Sequence, residues 1–148
     1  MIQGDDAREH GDTQKATDRY NQVLQGFPDF APAQKGLALL VVEDPANSAK
    51  AFDLATKARK VLPDDSDLAK VLATVSFQRK DFSRAIQLFQ ESGRKKPLDA
   101  TSLFYLGMSQ SQAGQKSAAR ESLNKALAAG LREPNAAEAK KALAEPNR

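Results

Sequence analysis

The sequence predicts an all-α protein built from repeated antiparallel helix pairs. Three observations carry this. Apolar residues recur at helical spacing, with no alternating strand pattern anywhere in the 148 residues. Proline and glycine punctuate the chain at regular intervals, next to helix-start and helix-stop residues. The punctuation and the small residues between it share a fixed period.

Each element follows from local chemistry. Between Asp12 and Gln25, the positions Ala16, Tyr20, Val23 and Leu24 lie at i, i+4, i+7 and i+8 on one helix face. The same face recurs as Ala51, Ala55, Ala58; as Ala85, Phe89, Ser92; and as Ala119, Leu123, Ala126, Leu127. Asp44-Pro45 reads as an N-cap followed by proline in the first turn, and Asp29 stands in the same role before Phe-Ala-Pro. Asp64, Asp65, Ser66 and Asp67 put caps and negative charge at a helix N-terminus, where the backbone dipole favours them. Pro28, Pro63 and Pro97 follow helices whose last turns carry cations, as in Lys57, Arg59, Lys60 and Arg94, Lys95, Lys96. Helices are expected near 1–10, 12–25, 29–43, 45–62, 64–79, 81–95, 98–112, 115–129 and 135–145.

Register makes the pattern specific. Ala51, Ala85 and Ala119 stand 34 and 34 residues apart, as do Pro63, Pro97 and Leu131. Leu72 and Leu106 differ by 34, and so do Ala73 and Gly107. Gly4, Gly11, Ala16, Tyr20 and Pro28 extend the template backwards, with one extra residue near Asp44-Pro45. A two-helix unit of this period is the mark of a helical-hairpin array.

On these residues the chain resembles the tetratricopeptide repeats. That family has Leu-Gly in the first helix, then a small, a large apolar and a small residue in the second, then proline. Those places hold Leu37-Ala38, Ala51, Ala55, Ala58, Pro63; Leu72-Ala73, Ala85, Phe89, Pro97; and Leu106-Gly107, Ala119, Leu123, Ala126. The resemblance implies a right-handed superhelical solenoid, a single domain of about three and a half repeats. A partial repeat would occupy 1–31, full repeats 32–65, 66–99 and 100–133, and a capping helix and tail 134–148. Ala136, Ala139 and Leu143 would form the apolar side of the cap. Small residues at 4, 38, 73 and 107 and at 16, 51, 85 and 119 would let helices approach, while Tyr20, Phe89 and Leu123 fill the space between layers. Met1 falls at the fifth position of its repeat, so an excerpt of a longer array is expected, the alternative being a short native first helix; an uncapped N-terminal end also offers an apolar face for self-association.

Composition narrows the chemistry. Hydrophobic residues are 41% and charged residues 28% of the chain, which is globular, and the net charge is +3. The absence of cysteine removes disulfides, thiol nucleophiles and Cys-based zinc sites. The single histidine, His10, has no second His or Cys with which to form a dyad or metal site. Asp64, Asp65 and Asp67 are better explained as helix caps than as catalytic carboxylates. No phosphate-cradling glycine motif is present, so neither an enzyme nor a cofactor is expected. Arg94-Lys95-Lys96 and Lys140-Lys141 raise the alternative of a nucleic-acid-binding helical repeat, but Glu91, Asp99, Glu138 and Glu145 break up the basic surface. The longest apolar run, Leu37 to Val42, is too short to insert in a membrane, and MIQGDDAREHGD has no apolar signal core. The compartment is left open between cytoplasm and periplasm.

The expected function is protein–protein interaction, in a larger bacterial assembly, secretion or envelope-associated protein. The resemblance implies that first helices line a groove for a peptide. By register its lining is Lys35, Leu39, Val42; Lys70, Thr74, Phe77; and Phe104, Met108, Ser111. Lys35 matches a lysine with which some members hold a terminal carboxylate, but Leu39 and Val71 stand where their asparagines would be. What is left is an apolar strip with two lysines, suited to an apolar or mildly acidic segment. A self-associating structural spacer is the third alternative.

Overall fold

A computed structural model describes residues 12–145. The expected helix near 1–10, with Gly4, His10, Gly11 and the N-terminal end, lies outside the described residues. Among those described there are eight α-helices and no strand. They are α1 (Thr13–Gly26), α2 (Ala31–Val41), α3 (Ser48–Val61), α4 (Ser66–Gln78), α5 (Phe82–Lys95), α6 (Ala100–Gln112), α7 (Lys116–Ala128) and α8 (Asn135–Ala144).

Aspartate starts four of the eight. Side-chain oxygens of Asp12, Asp65, Asp81 and Asp99 accept the backbone N–H of the residue three positions on, at 3.0, 3.0, 3.4 and 2.9 Å. This satisfies a donor that the first turn would otherwise leave unpaired. Two expected starts differ. Asp29 does not cap α2: Phe30 occupies the N-cap without a side-chain hydrogen bond, and Pro32 enters the first turn. Asp44 caps only a 3-10 turn, Pro45–Asn47, through the Ala46 N–H at 3.0 Å, so α3 begins at Ser48. The extra residue in the period falls here. The turn between α4 and α5 needs a left-handed residue, supplied by Lys80 at φ 63°, and Gly114 fills the equivalent place 34 residues on at φ 82°.

The chain forms two compact units that meet at Val75 and Ser76, inside α4. In the first, α1 packs on α2 and α2 on α3. Ala16, Tyr20, Ala33 and Leu37 form its buried cluster, with Val23, Leu24, Leu40, Val41 and Leu54 against it. Ala38, Ala51, Ala55 and Ala58 are fully buried, as their small-residue slots require. Gly36 makes room for the Tyr20 ring; a Cβ there would overlap the ring and stand 2.8 Å from its hydroxyl oxygen.

In the second unit α6 packs on α5 and on α7, and α8 lies against both α6 and α7. Phe104, Leu123, Ala126 and Ala139 are its buried cluster. A Cβ at Gly107 would stand 2.8 Å from the Leu123 side chain, so glycine in this slot sets the α6–α7 spacing. Ala136 and Ala139 of α8 are buried and Leu143 half-buried, covering apolar surface that α6 and α7 would otherwise expose.

Candidate functional site

In the first unit the expected ligand-facing residues sit on α2 and α4. Lys35 and Leu39 are one turn apart on α2, and both are half-buried. Val42, just past the end of α2, is 3% exposed, and Thr74 is 5% exposed with its hydroxyl donating to the Lys70 carbonyl at 2.9 Å. Neither presents a side chain to a ligand, which corrects their expected role. Lys70 is half-buried.

Lys35 is engaged within the chain. Its Nζ lies 2.8 Å from Asp65 Oδ2 and 3.3 Å from Asp67 Oδ2. Asp65 thus works twice, since its other oxygen accepts the Leu68 N–H at 3.0 Å. Burial by itself would lower the pKa of the Lys35 ammonium. The Asp65 hydrogen bond and the charges of Asp65 and Asp67 outweigh it, and the pKa is raised above its ordinary value. Lys35 is thus held between two carboxylates and is not a free cation.

A raised folded-state pKa means that the Lys35 contribution is complete below the unfolded value, about 10.4, and is lost as pH rises through the folded value. Lys35→Met should cost about 1 kcal/mol at neutral pH, the upper end for a partly exposed pair. The wild-type advantage should stay constant up to about pH 10 and shrink above it. Denaturant titrations of both proteins across this range check it; an advantage that persists unchanged above the lysine range would contradict it.

In the second unit the expected residues separate into two kinds. Phe104 is 2% exposed and packs with Leu123, Ala126 and Ala139, so it is a core residue and not a ligand contact. Met108 is half-buried against the same cluster, and Ser111 is half-buried one turn from it. Phe77 is half-buried and stacks on Tyr105, with ring centres 4.7 Å apart at 28°, and meets Phe82 edge-on at 6.1 Å. Tyr105 also lies 6.4 Å from Phe89 and 5.8 Å from Phe104. Sequence reasoning missed this ring as the centre of the aromatic group. The available signal was its place directly between Phe104 and Leu106-Gly107 on a first helix.

Among the described residues no cluster of His, Cys, Asp or Glu has the makings of a metal site. Among them, too, no helix is long and apolar enough to cross a membrane.

Comparison with known proteins fits this geometry. Residues 33–100 match the family model described as tetratricopeptide repeat. No curated protein matches by sequence. Among solved structures, the chain is similar to MamA at 20% identity and TM-score 0.67, covering 95% of this chain and 80% of that one. It is similar to MamA MSR-1 at 20% identity and TM-score 0.70, with 96% and 79% covered. MamA from Desulfovibrio magneticus RS-1 aligns at 16% identity and TM-score 0.67, with 88% and 73% covered. At these identities the likeness assigns the fold alone. Residues 33–100 are tetratricopeptide-repeat sequence, carried in a chain with an all-α helical-repeat solenoid fold.

Proposed function

We propose that the chain is a non-catalytic scaffold that binds a polypeptide segment along the first helices of its repeats. The supporting observation is a division of labour within those helices. Their small and large slot residues are consumed by packing, while Leu39 in the first unit and Phe77, Met108 and Ser111 in the second keep part of their surface in solvent. Such half-exposed apolar and polarizable side chains on a rigid support suit an extended or helical peptide. Lys35 is paired with Asp65 and Asp67, so the segment facing the first unit is apolar and neutral or basic, not acidic. Fold by itself names no partner; these residues supply the argument.

The test is a random-peptide display selection against the whole chain, followed by titration of a selected peptide into wild type, Leu39→Glu and Met108→Glu. A contact at either residue predicts a loss of about ten-fold or more, or about 1.4 kcal/mol, with the fold intact by circular dichroism. Unchanged affinity in both folded variants would remove the first-helix faces from the proposal.

A further inference from the structure

A groove in the second unit lies away from the first-helix residues just described. It is walled by α5, α6, α7 and the Pro97–Leu98 connection, and its volume is about 570 Å³. That is within the roughly 300–1,000 Å³ of ligand-binding clefts, room for a side chain together with the peptide backbone that carries it. Its floor is apolar: Leu98 and Leu103 are half-buried and Leu106 is 7% exposed. Ser122, the polar group beside them, already donates to Gln110 at 2.6 Å. Gly93 keeps the wall on the α5 side low, since a Cβ there would meet Leu98 at 3.4 Å. Arg94 and Lys125 stand at the rim, and no carboxylate lines the groove. Arg94 pairs with no acid among the described residues, while Lys125 has only its exposed helix neighbour Glu121, at 3.0 Å.

We infer that this groove is a second binding site, for an acidic peptide segment that inserts one leucine or phenylalanine side chain. The apolar floor takes the side chain, and Arg94 and Lys125 take flanking carboxylates. Guanidinium is the better partner of the two, because its planar fork meets a carboxylate with two parallel hydrogen bonds. The charge preference is opposite to that of the Lys35 face. The inference rests on the scaffold reading only in taking a polypeptide as ligand.

The experiment follows amide chemical shifts of the whole 15N-labelled chain as the acetylated peptide Asp-Glu-Leu-Phe-Glu-Asp is added. The control is Lys-Arg-Leu-Phe-Arg-Lys. The acidic peptide should shift the amides of Gly93, Leu98, Leu103 and Lys125, and the basic one should leave them in place. Arg94→Glu, on an exposed side chain, should weaken binding about ten-fold or more. Gly93→Leu should do the same by filling the groove, and leucine favours the helix over glycine, so folding is maintained. Equal response to both peptides, shifts confined to other helices, no shifts, or wild-type affinity in both variants would each overturn the inference. Leu39→Glu and Met108→Glu read out the first-helix faces with a different peptide, so failure of one site is distinguishable from failure of the other.

Discussion

Replacing Phe89 by alanine is expected to destabilise the protein by about 3 to 5 kcal/mol, the range for a fully enclosed ring. The ring has no exposed surface and belongs to the buried face of α5 with Ala85, Ile86, Leu88 and Ser92. Its truncation removes apolar contacts and leaves a void that neighbouring helices close only in part. Phe77→Ala should cost less, because Phe77 is half-buried and its main partner is one face of Tyr105. Chemical denaturation of the two variants measures the difference. A loss below about 1 kcal/mol for Phe89→Ala would contradict its assignment to the core.

Gly36→Ala is expected to cost about 1 to 3 kcal/mol, although alanine is the better helix former by about 1 kcal/mol. The added methyl would overlap the Tyr20 ring, which is 2% exposed and is held by Ala16, Ala33 and Leu37. A rigid, enclosed ring cannot swing aside as an exposed side chain would. Combining Gly36→Ala with Tyr20→Leu should therefore cost less than the sum of the single changes, with a coupling of about 0.5 kcal/mol or more. Thermal or denaturant unfolding of the four proteins closes the cycle. Strict additivity would mean that the Gly36–Tyr20 contact does not set the α1–α2 spacing.

The repeat period made the packing slots legible. Ala16, Ala51, Ala85 and Ala119 sit at one register, and the folded chain buries all four to 4% exposure or less. Their environment is set within the repeat, so the sequence of one repeat is enough to read it. The ligand-facing positions were less legible, because their exposure depends on side chains from other elements. Lys35 carries the same residue type at its register whether or not a carboxylate awaits it; Asp65 and Asp67, thirty residues on, decide that it is paired. Phe104 and Met108 share one helix, yet Phe104 is enclosed by α7 and α8 while Met108 stays half-exposed. Gly36 lies outside the family's small-residue slots, and only the seat of Tyr20 explains it. Asp29 failed as a cap for a local reason: Phe30 and Pro32 fix the entry to α2 instead.

The ligand proposed for the first-helix faces is a polypeptide held mainly by apolar contact. Fluorescence anisotropy of a display-selected peptide and of a mixed-sequence single-stranded oligonucleotide, at about 50 mM and about 200 mM salt, tests it most directly. Peptide affinity should change by no more than about three-fold, since apolar burial is little screened, and oligonucleotide binding should be weak at both concentrations. Tight oligonucleotide binding that falls by about ten-fold or more across this salt range, with no peptide retained, would contradict it.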